Sequence, residues 1–103
     1  MELAKAIYQV TDSFPAKETS GIISQKMRKS AVSVSSSIAE SFMRRHNKEY
    51  KQFLHIALGS LAELETHILL SEELGFLKKT EGMDIHASIN ETNKMITGLI
   101  KCL

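Results

Sequence analysis

Cysteine is nearly absent from this chain of 103 residues, in which Cys102 is the only one. A single cysteine cannot form an internal disulfide, so the fold does not depend on an oxidising compartment and we expect a cytoplasmic protein. Proline occurs once and glycine five times, and this scarcity of helix-breaking residues favours an all-α fold. No stretch approaches about 18 uninterrupted apolar residues and the N-terminus lacks signal-peptide features, so the sequence predicts neither a membrane span nor secretion.

The composition is that of one ordered domain spanning residues 1–103. Hydrophobic residues make up 43% of the chain and charged residues 24%, which is enough for a single core. The net charge of +1 hides an asymmetry, because the segment from Lys17 to Lys51 holds eight Lys or Arg against three Glu. That segment carries +5 and the remainder −4. A basic segment of this kind can contact an anionic partner or simply keep the surface hydrated.

Apolar residues recur at spacings of three and four, which predicts four amphipathic helices. The four stripes are Leu3, Ile7, Val10 and Phe14; Ile23, Met27, Ala31, Val34, Ile38 and Phe42; Tyr50, Leu54, Ala57, Leu61, Leu64 and Ile68; and Ile85, Ile89, Thr92, Ile96, Leu99 and Leu103. The serine-rich part of the second stripe alternates like a strand, but one short strand would have no partner. The expected fold is therefore a four-helix bundle.

Breakers and capping residues set the expected helix boundaries. Helix 1 should end near Ser13, because Pro15 restricts the residue before it to an extended backbone, and residues 16–21 are predicted to form a loop. Residues with capping side chains are predicted to begin the other helices: Ser20, Asn47 and Thr80. Helix 2 should reach Met43, and helix 3 about residue 74, where Gly75 stops it. Met1 already lies in the helical pattern, so we expect helix 1 to continue upstream in a longer chain.

Helix 3 is apolar on nearly all sides. Phe53, Ile56, Leu58 and Ala62 lie off its main stripe. A helix of this kind must be covered on more than one side, which four short helices supply poorly. We interpret these four residues as a candidate oligomer interface.

The spacing of potential catalytic and ligating residues predicts no enzyme, metal or cofactor site. Carboxylate-bridged metal sites in bundles use Glu-x-x-His motifs, and none occurs here. Glu63 and His67 are four residues apart and are expected to form a hydrogen bond on the helix surface. The serines lack a neighbouring histidine, and the scattered glycines form no phosphate-binding loop.

Glu63 and Glu65 flank Leu64 within the most apolar helix. An unpaired buried carboxylate is costly, so the sequence predicts that they need a cationic partner. Arg28 and Lys29 on helix 2 are the candidates for a structural ion pair.

A basic run joins helices 2 and 3. It comprises Arg44, Arg45, His46, Lys48 and Lys51, and Lys26, Arg28 and Lys29 precede it on helix 2. Arginine beside a helix N-terminus is suited to binding phosphate oxygens. The alternative is a hydrated turn whose arginines pair with Glu40 or Glu49, and the sequence leaves both interpretations open.

The string SIAESFMRRHNKEYKQFLHIALGSLAELETHILLSEELGFL, from Ser37 to Leu77, resembles the four-helix-bundle family named after the 23S rRNA intervening sequence protein. LAKAIYQVTDSFP and ISQKMRKSAVSVSSSIAES resemble its first two helices, and IALGSLAELET is the most specific string. The family usually has a proline in the serine-rich part and an Asn-Ile-Ala-Glu-Gly ending, where this chain has Ser35-Ser36 and Ser37-Ile38-Ala39-Glu40-Ser41. A typical lead-in before Leu3 is also missing.

The resemblance implies an up-down antiparallel bundle that assembles into a homopentamer, a bacterial origin and no enzyme activity. Some family members are encoded within insertions in large-subunit ribosomal RNA genes, and a related group serves diversity-generating retroelements as an accessory protein that binds a reverse transcriptase and nucleic acid. Transferring this property makes five basic residues candidates for RNA or DNA binding: Arg28, Arg44, Arg45, Lys48 and Lys51. The alternative is a protein-binding scaffold with no nucleic-acid role, and in neither case is a membrane expected as partner.

Overall fold

The computed structural model describes residues 2–45 and 47–102. Within these residues the chain forms four helices and no strand: α1 (Glu2–Thr11), α2 (Glu18–Met43), α3 (Glu49–Glu73) and α4 (Lys79–Lys101). The predicted all-α class is therefore confirmed, and the serine-rich stretch lies within α2. The molecule measures 45 × 22 × 18 Å, so its long dimension is that of α2 with the turns at its ends.

Each helix packs against two others. α2 has its largest interface with α3, α3 also packs on α4, and α1 contacts both α2 and α4. Most of the predicted stripe residues form one core, whose buried members are Leu3, Ile7, Ile23, Met27, Ala31, Val34, Tyr50, Leu54, Ala57, Leu61, Leu64, Ile68, Leu77, Ile85, Ile89 and Ile96. The stripe of α3 is buried over its whole length, as its spacing predicts.

The stripes of α2 and α4 are less completely buried towards their C-terminal ends. Ile38 is half-buried and Phe42 is 45% exposed, although both continue the predicted spacing. The ten described residues of α1 pack on only part of the 26-residue α2. On α4, Thr92 and Leu99 are half-buried. Leu103, predicted on the same stripe, lies outside the described residues.

α1 ends at Thr11, two residues before its predicted end. The Thr11 hydroxyl donates a hydrogen bond to the carbonyl oxygen of Ile7 at 2.7 Å, and the chain then turns towards Pro15. Phe14, predicted on the helix 1 stripe, therefore lies in the connecting loop. Its ring packs on that of Phe76, with 5.9 Å between the ring centroids.

The prediction of Ser20 as the N-cap of α2 is wrong. The helix begins at Glu18, after Lys17 as N-cap, so residues 18–21 are helical rather than part of a loop. The buried Ser20 hydroxyl donates to the carbonyl oxygen of Pro15 and accepts a hydrogen bond from the Lys17 N–H at 3.3 Å. A hydroxyl in the first turn of the helix thus accepts a hydrogen bond from the backbone N–H of the N-cap residue Lys17, which has no partner within the helix.

Asn47 and Thr80 also lie near the helix starts without being the N-caps. α3 begins at Glu49, and the side-chain oxygen of Asn47 accepts a hydrogen bond from the Glu49 N–H at 2.6 Å. The Asn47 side chain therefore caps the helix from two positions before its first residue. Thr80 is the second residue of α4, which follows Lys78 as N-cap.

The end of α3 agrees with the sequence prediction. Gly75 has φ +80°, in the left-handed region that favours glycine. Its N–H donates to the carbonyl oxygen of Glu72 at 3.1 Å, and the Phe76 N–H donates to that of Ser71 at 2.9 Å. This pair of bonds is a Schellman motif, which satisfies the last carbonyl groups of the helix and turns the chain towards α4.

Candidate functional site

Arg44 lies in the turn between α2 and α3 and is held by two carboxylates. Its Nε donates a hydrogen bond to Glu40 Oε2 at 2.8 Å, and its Nη1 donates to Glu49 Oε2 at 2.7 Å. The guanidinium carbon also lies 5.5 Å from the centroid of the Phe53 ring. The hydrogen bond with Glu40 and the charge of Glu49 raise the pKa of Arg44. For Arg44, the interpretation of a hydrated turn with surface ion pairs is confirmed.

Three further basic residues in this turn and the first turn of α3 are exposed: Arg45, Lys48 and Lys51. We call them the basic turn. Among residues 2–45 and 47–102, none of the three forms an ion pair. With Arg44 and its two carboxylates the region has a net charge of +2. His46, which the sequence places in the same basic run, lies outside the described residues.

Arg28 lies apart from the basic turn and links α2 to the end of α1. Its Nε donates to Thr11 Oγ1 at 2.7 Å, and its Nη2 donates to Asp12 Oδ1 at 2.8 Å. Its guanidinium carbon lies 4.8 Å from the centroid of the Tyr8 ring. Arg44 follows it by sixteen positions, just after the end of α2, which corresponds to about 24 Å along the helix. The structure therefore does not bring Arg28 together with the other four candidate residues.

Lys26 and Lys29 lie on another side of α2, facing α3. They line a polar groove of about 300 Å³ together with Ser30, Ser33, Ser60 and Glu63. The hydroxyl groups of Ser33 and Ser60 share a hydrogen bond of 2.8 Å across the two helices. The sequence pattern gives no sign of this bond, because it depends on the register between α2 and α3.

The prediction that Glu63 and Glu65 need a partner on helix 2 is wrong. Both are exposed, because residues next to the buried Leu64 are turned about 100° away from the core. Arg28, one of their predicted partners, pairs with Asp12 instead. The Glu63–His67 hydrogen bond is also absent, since Glu63 Oε1 and the His67 Nε2 are 3.8 Å apart, beyond hydrogen-bonding distance.

His86 forms a contact between α3 and α4 that sequence reasoning missed. Its Nε2 lies 2.6 Å from Glu72 Oε1, and its Nδ1 lies 4.0 Å from Glu65 Oε2. Gly82, one turn before His86, makes room for this arrangement, because a Cβ there would lie 2.9 Å from Glu72 Cδ. A glycine one turn before a histidine was the available signal, but the sequence does not show which carboxylate fills the space.

The four candidate interface residues of α3 do not form one surface. Phe53 and Leu58 are half-buried, whereas Ile56 and Ala62 are exposed. At about 100° per residue, Phe53 and Ile56 lie on one side of the buried stripe, and Leu58 and Ala62 lie on the other. Leu69 and Leu70 of α3 are also exposed, as is Leu74 just after the helix. By length and composition alone α3 could span a membrane, a test that core helices of soluble proteins also pass.

Potential metal ligands are scattered over the described part of the chain. No three His, Cys, Asp or Glu side chains among residues 2–45 and 47–102 come close enough to share a metal ion. Cys102 is exposed at the end of α4. Among the described residues, the basic turn and the exposed apolar side chains are the surfaces suited to binding a partner.

Comparisons with known proteins give a family and a fold. A family model described as 23S rRNA-intervening sequence protein matches residues 1–98. A crystal structure of a protein with unknown function, from the S23 ribosomal protein family of Bacteroides thetaiotaomicron, is 21% identical. It superposes with a TM-score of 0.88, and the match covers 97% of this chain and 93% of that one. At this identity the likeness establishes the fold alone. No curated protein sequence matches the chain.

Proposed function

Because this chain belongs to the 23S rRNA-intervening sequence protein family, we propose that it is a non-enzymatic, oligomeric protein that binds the phosphate backbone of RNA or DNA. The observation that carries the proposal is the basic turn, in which Arg45, Lys48 and Lys51 are all exposed at one end of the molecule. Phosphate groups are the anions that such a cluster of Lys and Arg binds in nucleic acids.

The two ion pairs of Arg44 support this assignment by fixing the turn. Arg44 joins the last turn of α2, through Glu40, to the first turn of α3, through Glu49. The backbone between them is therefore held at both ends, which lowers the entropy lost when the neighbouring cations bind a ligand. In this proposal Arg44 positions the turn, and Arg45, Lys48 and Lys51 contact phosphate. Arg28 is assigned to stability, because its donors already serve α1.

We further propose that the four helices form an up-down antiparallel bundle and that the bundle assembles into a homopentamer. Support for the bundle comes from turns of five or six residues and from the packing of each helix on two neighbours. Support for assembly comes from exposed apolar side chains on α3, which water contacts unfavourably in a monomer: Ile56, Leu69 and Leu70. Five copies of the basic turn would multiply a weak phosphate contact. A cytoplasmic location belongs to the same proposal.

A protein-binding scaffold is the second candidate function. It is favoured by the same exposed apolar side chains, since a partner polypeptide can cover them in place of further subunits. In that case the basic turn would contact an acidic protein. Nuclease treatment distinguishes the two functions, because a complex with a protein partner survives it and a complex with nucleic acid does not.

The proposal is tested by measuring molar mass and nucleic-acid affinity together. Light scattering gives the mass of the purified protein, alone and with a short labelled stem-loop RNA or the DNA of the same sequence, over a range of salt concentrations. Replacing Arg45, Lys48 and Lys51 by alanine should abolish binding. The matched control replaces three exposed lysines elsewhere, Lys5, Lys94 and Lys101, and removes the same charge.

The salt dependence distinguishes the outcomes. Three phosphates contacted by one subunit correspond to a slope of about −2.7 in log K against log salt for a duplex. If the basic-turn variant and the control variant lose the same amount of affinity, the binding is a general electrostatic attraction and does not depend on the basic turn. No binding by an intact oligomer at low salt would refute the nucleic-acid function and favour the scaffold.

A further inference from the structure

The polar groove between α2 and α3 has a volume of about 300 Å³, at the lower end of the range for small-molecule sites. Its lining residues are Lys26, Lys29, Ser30 and Ser33 of α2 and Ser60 and Glu63 of α3. The four residues of α2 follow one another at spacings that place them on one face of the helix. Every lining residue is polar or charged, so the groove is suited to a hydrophilic ligand.

Ser30 is the most deeply placed of these residues, with 5% of its surface exposed. Its hydroxyl forms no hydrogen bond with residues 2–45 and 47–102, whereas Ser24 and Ser36 of the same helix donate to the carbonyl oxygens of Gly21 and Val32. A buried hydroxyl without a protein partner is costly. Because Ser30 lines the groove, its hydroxyl is available to a ligand there.

The other groups of the groove supply further donors and positive charge. The hydroxyls of Ser33 and Ser60 lie 2.8 Å apart, and only one of their two hydrogens can lie between them, so the other can donate to a ligand. Lys26 and Lys29 are exposed and pair with no carboxylate in the part of the chain that the structure describes. Each ammonium group adds three donors. Donors from both helices therefore surround one space.

We propose that the polar groove binds the phosphate group of a small molecule, either inorganic phosphate or a phosphate monoester. A tetrahedral phosphate can accept hydrogen bonds from the lysines and the hydroxyls of both helices at once. A monoester leaves three oxygens free to reach the recessed Ser30, whereas a nucleic-acid phosphate carries a sugar on each side. The inference does not depend on the proposed function, because no residue of the basic turn lines the groove.

Glu63 is the one acidic residue of the lining. Its side chain is 61% exposed, and its Oε1 lies 3.8 Å from His67 Nε2, so the carboxylate is largely in water. With the two lysines it leaves the groove a net charge of +1. An anion in the groove should therefore be attracted by the lysines and weakly repelled by Glu63, and both effects can be measured.

The test titrates the isotope-labelled full chain with sodium phosphate and follows the backbone amide signals by NMR. Sodium chloride at the same ionic strength is the reference. The amides of Ser30, Ser33 and Ser60 should shift saturably, with a Kd on the order of 1 mM or tighter. Methyl phosphate should bind similarly. Dimethyl phosphate, which has less charge and two blocked oxygens, should bind at least about fivefold more weakly.

Matched variants locate the phosphate. Ser30→Ala removes the buried hydroxyl without changing the charge and should weaken binding about tenfold. Its control is Ser36→Ala, which removes an exposed hydroxyl already bonded to Val32 and should change the Kd less than about twofold. Both variants should fold, because alanine favours a helix more than serine does.

The sign of the charge effect gives an independent check. Glu63→Gln should strengthen phosphate binding about twofold, because it removes the one repelling charge of the lining. Glu73→Gln makes the same change in net charge at an exposed position of α3 outside the groove and should have little effect. A gain of affinity in Glu63→Gln alone is not expected from a loss of folding.

Three results would overturn the inference. The first is the absence of saturable shifts with phosphate, and the second is an equal effect of Ser30→Ala and Ser36→Ala. The third is displacement of phosphate from the groove by the stem-loop RNA, which would assign the groove to a nucleic-acid surface. A chain that binds phosphate here but does not bind RNA would refute the proposed function and leave this inference standing.

Discussion

His86 of α4 and Glu72 of α3 are joined by a contact of 2.6 Å between Nε2 and Oε1. The contact exists because Gly82, one turn earlier on α4, has no side chain where the Glu72 carboxylate passes. Both partners are largely buried, with 29% of the His86 side chain and 18% of the Glu72 side chain exposed. This pair and Gly82 therefore fix how α3 and α4 pack against each other.

A double-mutant cycle should detect this dependence. In the wild-type background, Gly82→Ala gains about 1 kcal/mol of helix propensity but pushes Glu72 away from His86, so the free energy of unfolding should change little or fall. In a Glu72→Ala background the same change should stabilise by about 1 kcal/mol, because nothing occupies the space. Urea denaturation measures both differences, and equal effects in the two backgrounds would contradict the packing described here.

Arg28 should prove important for stability and not for nucleic-acid binding. Arg28→Lys keeps the charge but loses the fork that reaches Thr11 and Asp12 together. We expect the free energy of unfolding to fall by about 1 kcal/mol, with unchanged affinity for the stem-loop RNA. Lys29→Ala, one residue further along α2 and exposed, serves as the control and should have little effect on either. A loss of RNA affinity in Arg28→Lys would contradict this prediction and indicate that Arg28 contacts the RNA.

Removing a carboxylate beside the basic turn should strengthen nucleic-acid binding. Glu49→Gln leaves the Arg44 bond to Glu40 in place and deletes one negative charge next to Lys48. At separations near 10 Å in water this charge repels a phosphate by about 0.4 kcal/mol, so the affinity should rise about twofold at low salt. Salt titration should remove the gain. A weaker complex would mean that the second ion pair of Arg44 is needed to hold the turn.

Glycine to alanine should have opposite effects at two positions. Gly75 has φ +80°, so Gly75→Ala should cost about 1–2 kcal/mol in the free energy of unfolding, and Gly75→Asn less. Gly59 lies within α3, is exposed, and a Cβ there would meet nothing within 4 Å. Gly59→Ala should therefore stabilise by about 1 kcal/mol through helix propensity. Thermal and urea denaturation of the two variants, side by side, measure this.

The helices and most of the core could be predicted because their signal is local. The spacing of Leu54, Leu61 and Ile68 places them on one side of α3 wherever its neighbours lie, and all three are buried. The stop at Gly75 is local for the same reason. The prediction of Ser20 as N-cap was wrong because a serine hydroxyl can accept a hydrogen bond from a backbone N–H both at the N-cap and in the first turn of a helix. The sequence does not distinguish these two positions.

What could not be predicted depends on which helices meet. Phe42 continues a regular stripe yet is 45% exposed, because the described residues of α1 pack against an earlier part of α2. The partners of Arg28 and His86 come from other helices, and their choice follows from register rather than from spacing along the chain. The turn between α2 and α3 is an intermediate case. The interpretation of surface ion pairs holds for Arg44, whereas phosphate binding by Arg45, Lys48 and Lys51 stays a prediction.

The ten residues of α1 cover only part of the 26-residue α2. Within residues 2–45 and 47–102, four helices surround the end that contains the turn between α3 and α4, and three surround the end with the basic turn. Transient local opening should therefore begin at the three-helix end, where fewer apolar contacts oppose it. A ligand that holds the basic turn would act on the least protected part of the chain, and its binding free energy would appear there first as slower amide exchange.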